Sequence, residues 1–120
     1  MGYNGNGEGG MPMLDIMYQE LVQGLVAILP DQLSRVVLYG STARGTATPQ
    51  SDVDIALLIT RPLTLRQQDA LSDLVTDLNL KYDKVLSVVD IDLHTYLHWR
   101  HVAPFYQNVD KDGIVLWKAA

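Results

Sequence analysis

Apolar positions along this chain fall into two kinds of spacing. Between Met13 and Leu29 they occur at Leu14, Met17, Leu21, Leu25 and Leu29, mostly three or four apart, which lines one face of a helix that Pro30 closes. The next run is short and continuous: Arg35 to Tyr39 (RVVLY) predicts a buried strand ending at Gly40, and Ser41 is placed to cap a short helix reaching about Gly45. Asp52 to Thr60 (DVDIALLIT) predicts a second strand, apolar on both alternations after its acids and therefore covered on both faces; Pro62 stops it. Thr64 with Gln67 has the form of a capping box, and Leu71, Leu74, Val75 and Leu78 form the inner stripe of the helix that follows. Asp83 to Val89 (DKVLSVV) predicts a third strand, Asp92 a cap for a helix to about Arg100, and Gly113 precedes a last strand, Ile114 to Trp117. Helix and strand thus alternate over residues 13–120 as one domain without internal repeat. Residues 1–12 (MGYNGNGEGGMP) are rich in Gly and Asn and are expected to lack fixed structure. They do not suit a phosphate-binding glycine loop, since no strand precedes them and no helix pattern follows at the required offset.

The connections restrict how the strands pair. A Gly-Ser turn ends the first strand and two acids open the second, so these two strands meet at that corner only if they run antiparallel. The long helix after Thr64 can cross back and make the third strand parallel to the second. The fold class expected is α+β, a small mixed sheet flanked by helices. The start of the third strand then lies beside Asp52 and Asp54. Asp83 sits at that start, whereas Asp90 sits at the far end, roughly 20 Å away at strand rise. This geometry prefers Asp83 over Asp90 and Asp92 as a third carboxylate, the alternative being that Asp83 is an ordinary turn residue.

Chemistry concentrates at that corner. Asp52 and Asp54 are two apart on a strand and face the same side, where two anions repel unless a cation lies between them; a divalent metal is the simplest candidate. Gly40 lets backbone approach a phosphate closely, Ser41 adds a hydroxyl and an N–H, and Arg44 either reaches a phosphate or pairs with an acid to brace the turn. Metal and phosphate on one sheet edge suggest phosphoryl or nucleotidyl transfer. No P-loop pattern is present. His94, His98 and His101 are four and three apart, but no Glu follows His94 in an HExxH arrangement, and they read as a partly solvated face rather than a zinc centre. Trp99, Phe105, Tyr106 and Trp117 crowd the C-terminal part, most as core and a surface subset as a possible partner contact.

Composition narrows the partners. The chain has 120 residues, 48% hydrophobic and 19% charged, with a net charge of −5 and no cysteine. The acidic balance argues against strong direct nucleic-acid binding, while a small anionic ligand escorted by Mg²⁺ stays compatible. Lack of cysteine fits a cytoplasmic protein, and no apolar run approaches a membrane span. The length leaves no second domain to wall a base or an acceptor, so those walls are expected from a second copy in a homo-oligomer, a partner chain or the acceptor itself.

Gly40-Ser41, ten residues, and then Asp52-Val53-Asp54 resemble the signature of the DNA polymerase beta superfamily of nucleotidyltransferases. The variant Gly-Ser-x-Ala-Arg-Gly followed by Ser51-Asp52-x-Asp54, with the tail Pro104-Phe105-Tyr106-x-Asn108-Val109, is similar to the minimal nucleotidyltransferases of bacteria and archaea. Their third acid opens a strand after a helix, as Asp83 does in Lys81-Tyr82-Asp83-Lys84-Val85. The resemblance implies a polymerase-beta-like fold and Asp52, Asp54 and Asp83 as catalytic carboxylates holding Mg²⁺. It also implies Gly40, Ser41 and Arg44 at the nucleotide, and ATP as a source of AMP for a protein hydroxyl that Asp83 helps to deprotonate. Small proteins of this kind often resemble the antitoxin of a toxin–antitoxin pair, with a HEPN-domain ribonuclease as partner. Two other functions remain: a catalytically inactive antitoxin acting by occlusion, and an aminoglycoside-type transferase for small molecules, which the missing acceptor domain disfavours.

Overall fold

Strands that are apolar on both alternations need cover on both faces, and the chain supplies it from different helices. A computed structural model describes residues 13–120; the expectation for residues 1–12 lies outside them. Along the chain come α1 (Met13–Ile28), β1 (Leu33–Tyr39), α2 (Gly40–Arg44), β2 (Val53–Ile59), α3 (Leu65–Tyr82), β3 (Leu86–Asp92), α4 (Leu93–Trp99), α5 (Pro104–Asp112) and β4 (Ile114–Lys118). The four strands form one sheet in the order β3-β2-β1-β4. β1 is antiparallel to β2 and to β4, and β2 is parallel to β3, the mixed pairing the connections require.

One face carries the larger core. Met17, Leu21, Leu25 and Leu29 from the α1 stripe and Leu78 and Tyr82 of α3 pack there on Val36, Leu38, Val53, Ile55, Leu57, Ile59 and Leu86. Gln32 is only 2% exposed at the edge of this core. Its amide exchanges two hydrogen bonds with that of Gln67 (2.9 and 3.0 Å) and donates to the Pro62 carbonyl (3.2 Å), so its burial is compensated. Gln67 also completes the capping box, accepting from the Thr64 N–H while its own N–H donates to Thr64 Oγ1. The opposite face is smaller: Val37, Ala56, Leu58 and Ile91 meet Tyr96 of α4 and Val109 of α5. There the Tyr96 hydroxyl donates to Asp110 (2.8 Å) and ties the two helices together. Among the described residues no helix is long and apolar enough to cross a membrane.

Three expectations change. Ser41 does not cap α2: the helix begins at Gly40, whose φ of +76° turns the chain directly from strand into helix, and the preceding Tyr39 makes no side-chain cap. Asp83 does not open β3. It is the C-cap of α3, in the left-handed region at φ +51°, with its N–H on the Asn79 carbonyl. The helix runs that far because Leu78 and Tyr82, four apart, are both buried, and the Tyr82 hydroxyl reaches Glu20 of α1. The Asn79 side chain accepts from the Leu86 N–H (2.9 Å) and delivers the chain into β3. The third change is α5, which the alternation of elements omitted; Pro104 at its first position is the start signal.

Candidate active site

The antiparallel pairing of β1 and β2 brings the turn and the acids together. Tyr39, the last residue of β1, lies directly opposite Asp54, so their side chains share a face. One residue on, Gly40 turns away beneath the Asp54 carboxylate. A Cβ built on Gly40 would stand 2.3 Å from Asp54 Oδ2, and the positive φ independently favours glycine. The carboxylate therefore rests against bare backbone.

Asp52 is exposed just before β2, and Asp54 is half-buried within it. The Asp54 carboxyl is pushed above its ordinary pKa, first by burial and next by the negative charge of Asp52, with Arg44 acting in the opposite direction. Two neighbouring carboxylates, the charge of Asp52 acting on Asp54, offer an all-oxygen donor set, which suits a hard divalent cation. The residues present fit such an ion. Arg44 ion-pairs with Asp112 at the end of α5 (3.8 Å), and 46% of its side chain stays exposed.

Asp83 is exposed and borders an open groove of about 410 Å³ with Pro49, Gln50, Ser51, Asn79, Lys84 and Val85. This is the same end of the sheet as Asp52, since the Val53 N–H donates to the Val85 carbonyl (2.8 Å). Among the described residues, however, no group of three or more His, Asp or Glu side chains is arranged to hold a metal ion. The residue paired with Asp54 on β3 is Ser87. Ser87, Val89 and Ile91 share its face, whereas Leu86, Val88 and Asp90 face the other way. There Asp90 lines a groove of about 500 Å³ beside Leu71 and Val75 of α3. Asp92 caps α4, accepting from the Thr95 N–H (2.9 Å). The three histidines do not share a helix: α4 ends at Trp99, and His101 beyond it approaches Asp110 (3.9 Å).

Sequence reasoning missed Tyr39 and Ser87, both of which follow from strand register. Tyr39 also contacts α5, its ring meeting Phe105 edge to face at 5.7 Å. Burial, and then the Asp54 charge, raise the Tyr39 phenol pKa.

Comparisons with known proteins point to one family. The family described as nucleotidyltransferase domain matches residues 19–112. A candidate protein adenylyltransferase of Methanocaldococcus jannaschii is 34% identical over 79 residues, covering 66% of this chain and 79% of that protein. Among solved structures, a toxin–antitoxin crystal structure with AMP-PNP aligns at a TM-score of 0.57 and 25% identity, over 85% of this chain and 73% of that one. A complex of a tri-AMPylated Shewanella oneidensis HEPN toxin with an MNT antitoxin shares the fold at a TM-score of 0.56 and 22% identity, over 89% and 74%. The chain belongs to the nucleotidyltransferase domain family and is a nucleotidyltransferase.

Proposed function

We propose that this protein transfers AMP from ATP to a hydroxyl of a partner protein, forming an O–Pα bond as pyrophosphate leaves, in the manner of a protein adenylyltransferase, and that the partner is a HEPN-domain toxin. The observation that carries the chemistry is the Asp54 carboxylate lodged on bare Gly40 backbone, with Asp52 two residues before it and near enough for its charge to raise the Asp54 pKa. In this reading Asp52 and Asp54 hold Mg²⁺, which supplies charge neutralisation for the nucleotide phosphates. Gly40 keeps the floor of the site free of side chain, so Asp54 stays where its charge is needed. Ser41 offers its hydroxyl and N–H to a phosphate, and Arg44, anchored by Asp112, presents its exposed side to the same charge. Asp83 borders the groove beside Ser51 and serves the acceptor, taking the proton from the incoming hydroxyl. Further walls for the base and the acceptor come from the partner or from a second copy. The protein partner is supported by the toxin–antitoxin neighbours and by the adenylyltransferase relative.

The test is incubation with labelled ATP, Mg²⁺ and a HEPN-domain partner. Label should appear on the partner and vanish with Asp52→Ala combined with Asp54→Ala; label that survives the double change refutes the role of the acids. One observation favours a second reading. Ser87, not a carboxylate, lies across from Asp54, which fits an antitoxin that blocks its partner by occlusion. In that case the double variant still neutralises the partner.

A further inference from the structure

We propose that Phe105 is the platform on which the base of the nucleotide stacks. The proposal rests on the transferase reading above and supplies a wall for the base. Phe105 is the second residue of α5 and is 42% exposed. Its ring is nevertheless fixed from two sides, by edge-to-face contacts with Tyr39 (5.7 Å) and Tyr106 (5.4 Å). Tyr39 is the strand partner of Asp54, so the exposed ring stands one aromatic residue away from the proposed phosphate and metal corner. The Arg44–Asp112 pair joins the far end of α5 to α2, so one helix carries the ring and braces the turn. A large aromatic residue left open to water gains little for folding. Held rigid, it offers a flat face to a partner at small entropic cost. A nucleobase is the flat group that a nucleotide bound at Asp52 and Asp54 brings with it, and stacking accepts any base because each has a π-face.

The experiment is calorimetric titration of the full chain with ATP and with inorganic tripolyphosphate, both with Mg²⁺, comparing wild type with Phe105→Ala and Phe105→Tyr. Phe105→Ala should weaken ATP about tenfold, in the range that stacking on one aromatic covers, and leave tripolyphosphate unchanged; Phe105→Tyr should keep ATP affinity. Unchanged ATP affinity in Phe105→Ala overturns the platform alone. So does parallel loss of both ligands, which marks a structural role. Failure of the wild type to bind either ligand removes the transferase reading, and the platform with it.

Discussion

The two faces of the sheet are built from the same strands and do opposite things. On the α1–α3 face Val53, Ile55, Leu57 and Ile59 are buried against a continuous helix stripe, and even the polar Gln32 is enclosed with its amide satisfied. On the α4–α5 face the next residues along, Asp54, Ala56 and Leu58, pass from a closed patch to an open corner where Asp54, Tyr39 and Phe105 keep contact with solvent. The alternation of a single strand thus separates stability from chemistry. One parity of β2 anchors the core, and the other delivers the Asp54 carboxylate to the Gly40 turn.

The largest expected effect tests the closed face. Leu25→Ala removes a side chain with no exposed surface and should cost about 2–5 kcal/mol in denaturant unfolding, while the folded fraction keeps its nucleotide affinity. A matching loss of affinity in the folded protein would show that the faces are not independent. Gly40→Ala comes next. Its Cβ collides with the Asp54 carboxylate, and a displacement of that size should lower transfer about 100-fold with a smaller loss of stability; wild-type transfer in a folded Gly40→Ala protein would mean that Asp54 need not lie on the turn. Ser87→Asp sharpens the same point from the neighbouring strand. A third carboxylate opposite Asp54 should tighten Mn²⁺ about tenfold in calorimetry, roughly one good charged ligand, whereas Asp90→Asn, on the other face, should leave it unchanged.

The smallest effect is one of pH. The carboxyl of Asp54 has its pKa raised in the folded state, so it binds its proton more tightly there than in the unfolded chain. Its contribution to stability is full below the unfolded carboxylate pKa and is lost as pH rises through the raised folded value. At neutral pH without metal, Asp54→Asn should therefore raise Tm by roughly a few degrees, and the advantage should disappear in acid. Equal Tm values for the two proteins across the whole range would remove the repulsion between Asp52 and Asp54 from the account.

What could be read from the sequence was what local spacing encodes. The α1 stripe and the Thr64–Gln67 box each depend on neighbours within a few residues, and the antiparallel pairing that joins β2 to the strand ending at Gly40 followed from where the turn and the acids fall along the chain. The third strand was harder. Burial of Tyr82 against α1 extends α3 to its end, and an aspartate in the left-handed region closes it, so β3 begins three residues later than its apolar pattern suggested. The register that sets Ser87, four residues beyond Asp83, opposite Asp54 is fixed by where α3 ends and not by local spacing. Helix α5 was hidden because Val109 is its one fully buried residue. The contact of Phe105 with Tyr39 joins residues 66 apart (105 minus 39) and is set by tertiary packing.

The central claim is that the turn at Gly40 and the paired acids form one cation and phosphate site. Crystals soaked with Mn²⁺ and a non-hydrolysable ATP analogue test it directly through the anomalous signal of the metal. The account predicts a peak bridged by the Asp52 and Asp54 carboxylates, with phosphate density over Gly40 and Ser41. A metal and nucleotide bound elsewhere, with those two carboxylates unliganded, would contradict it.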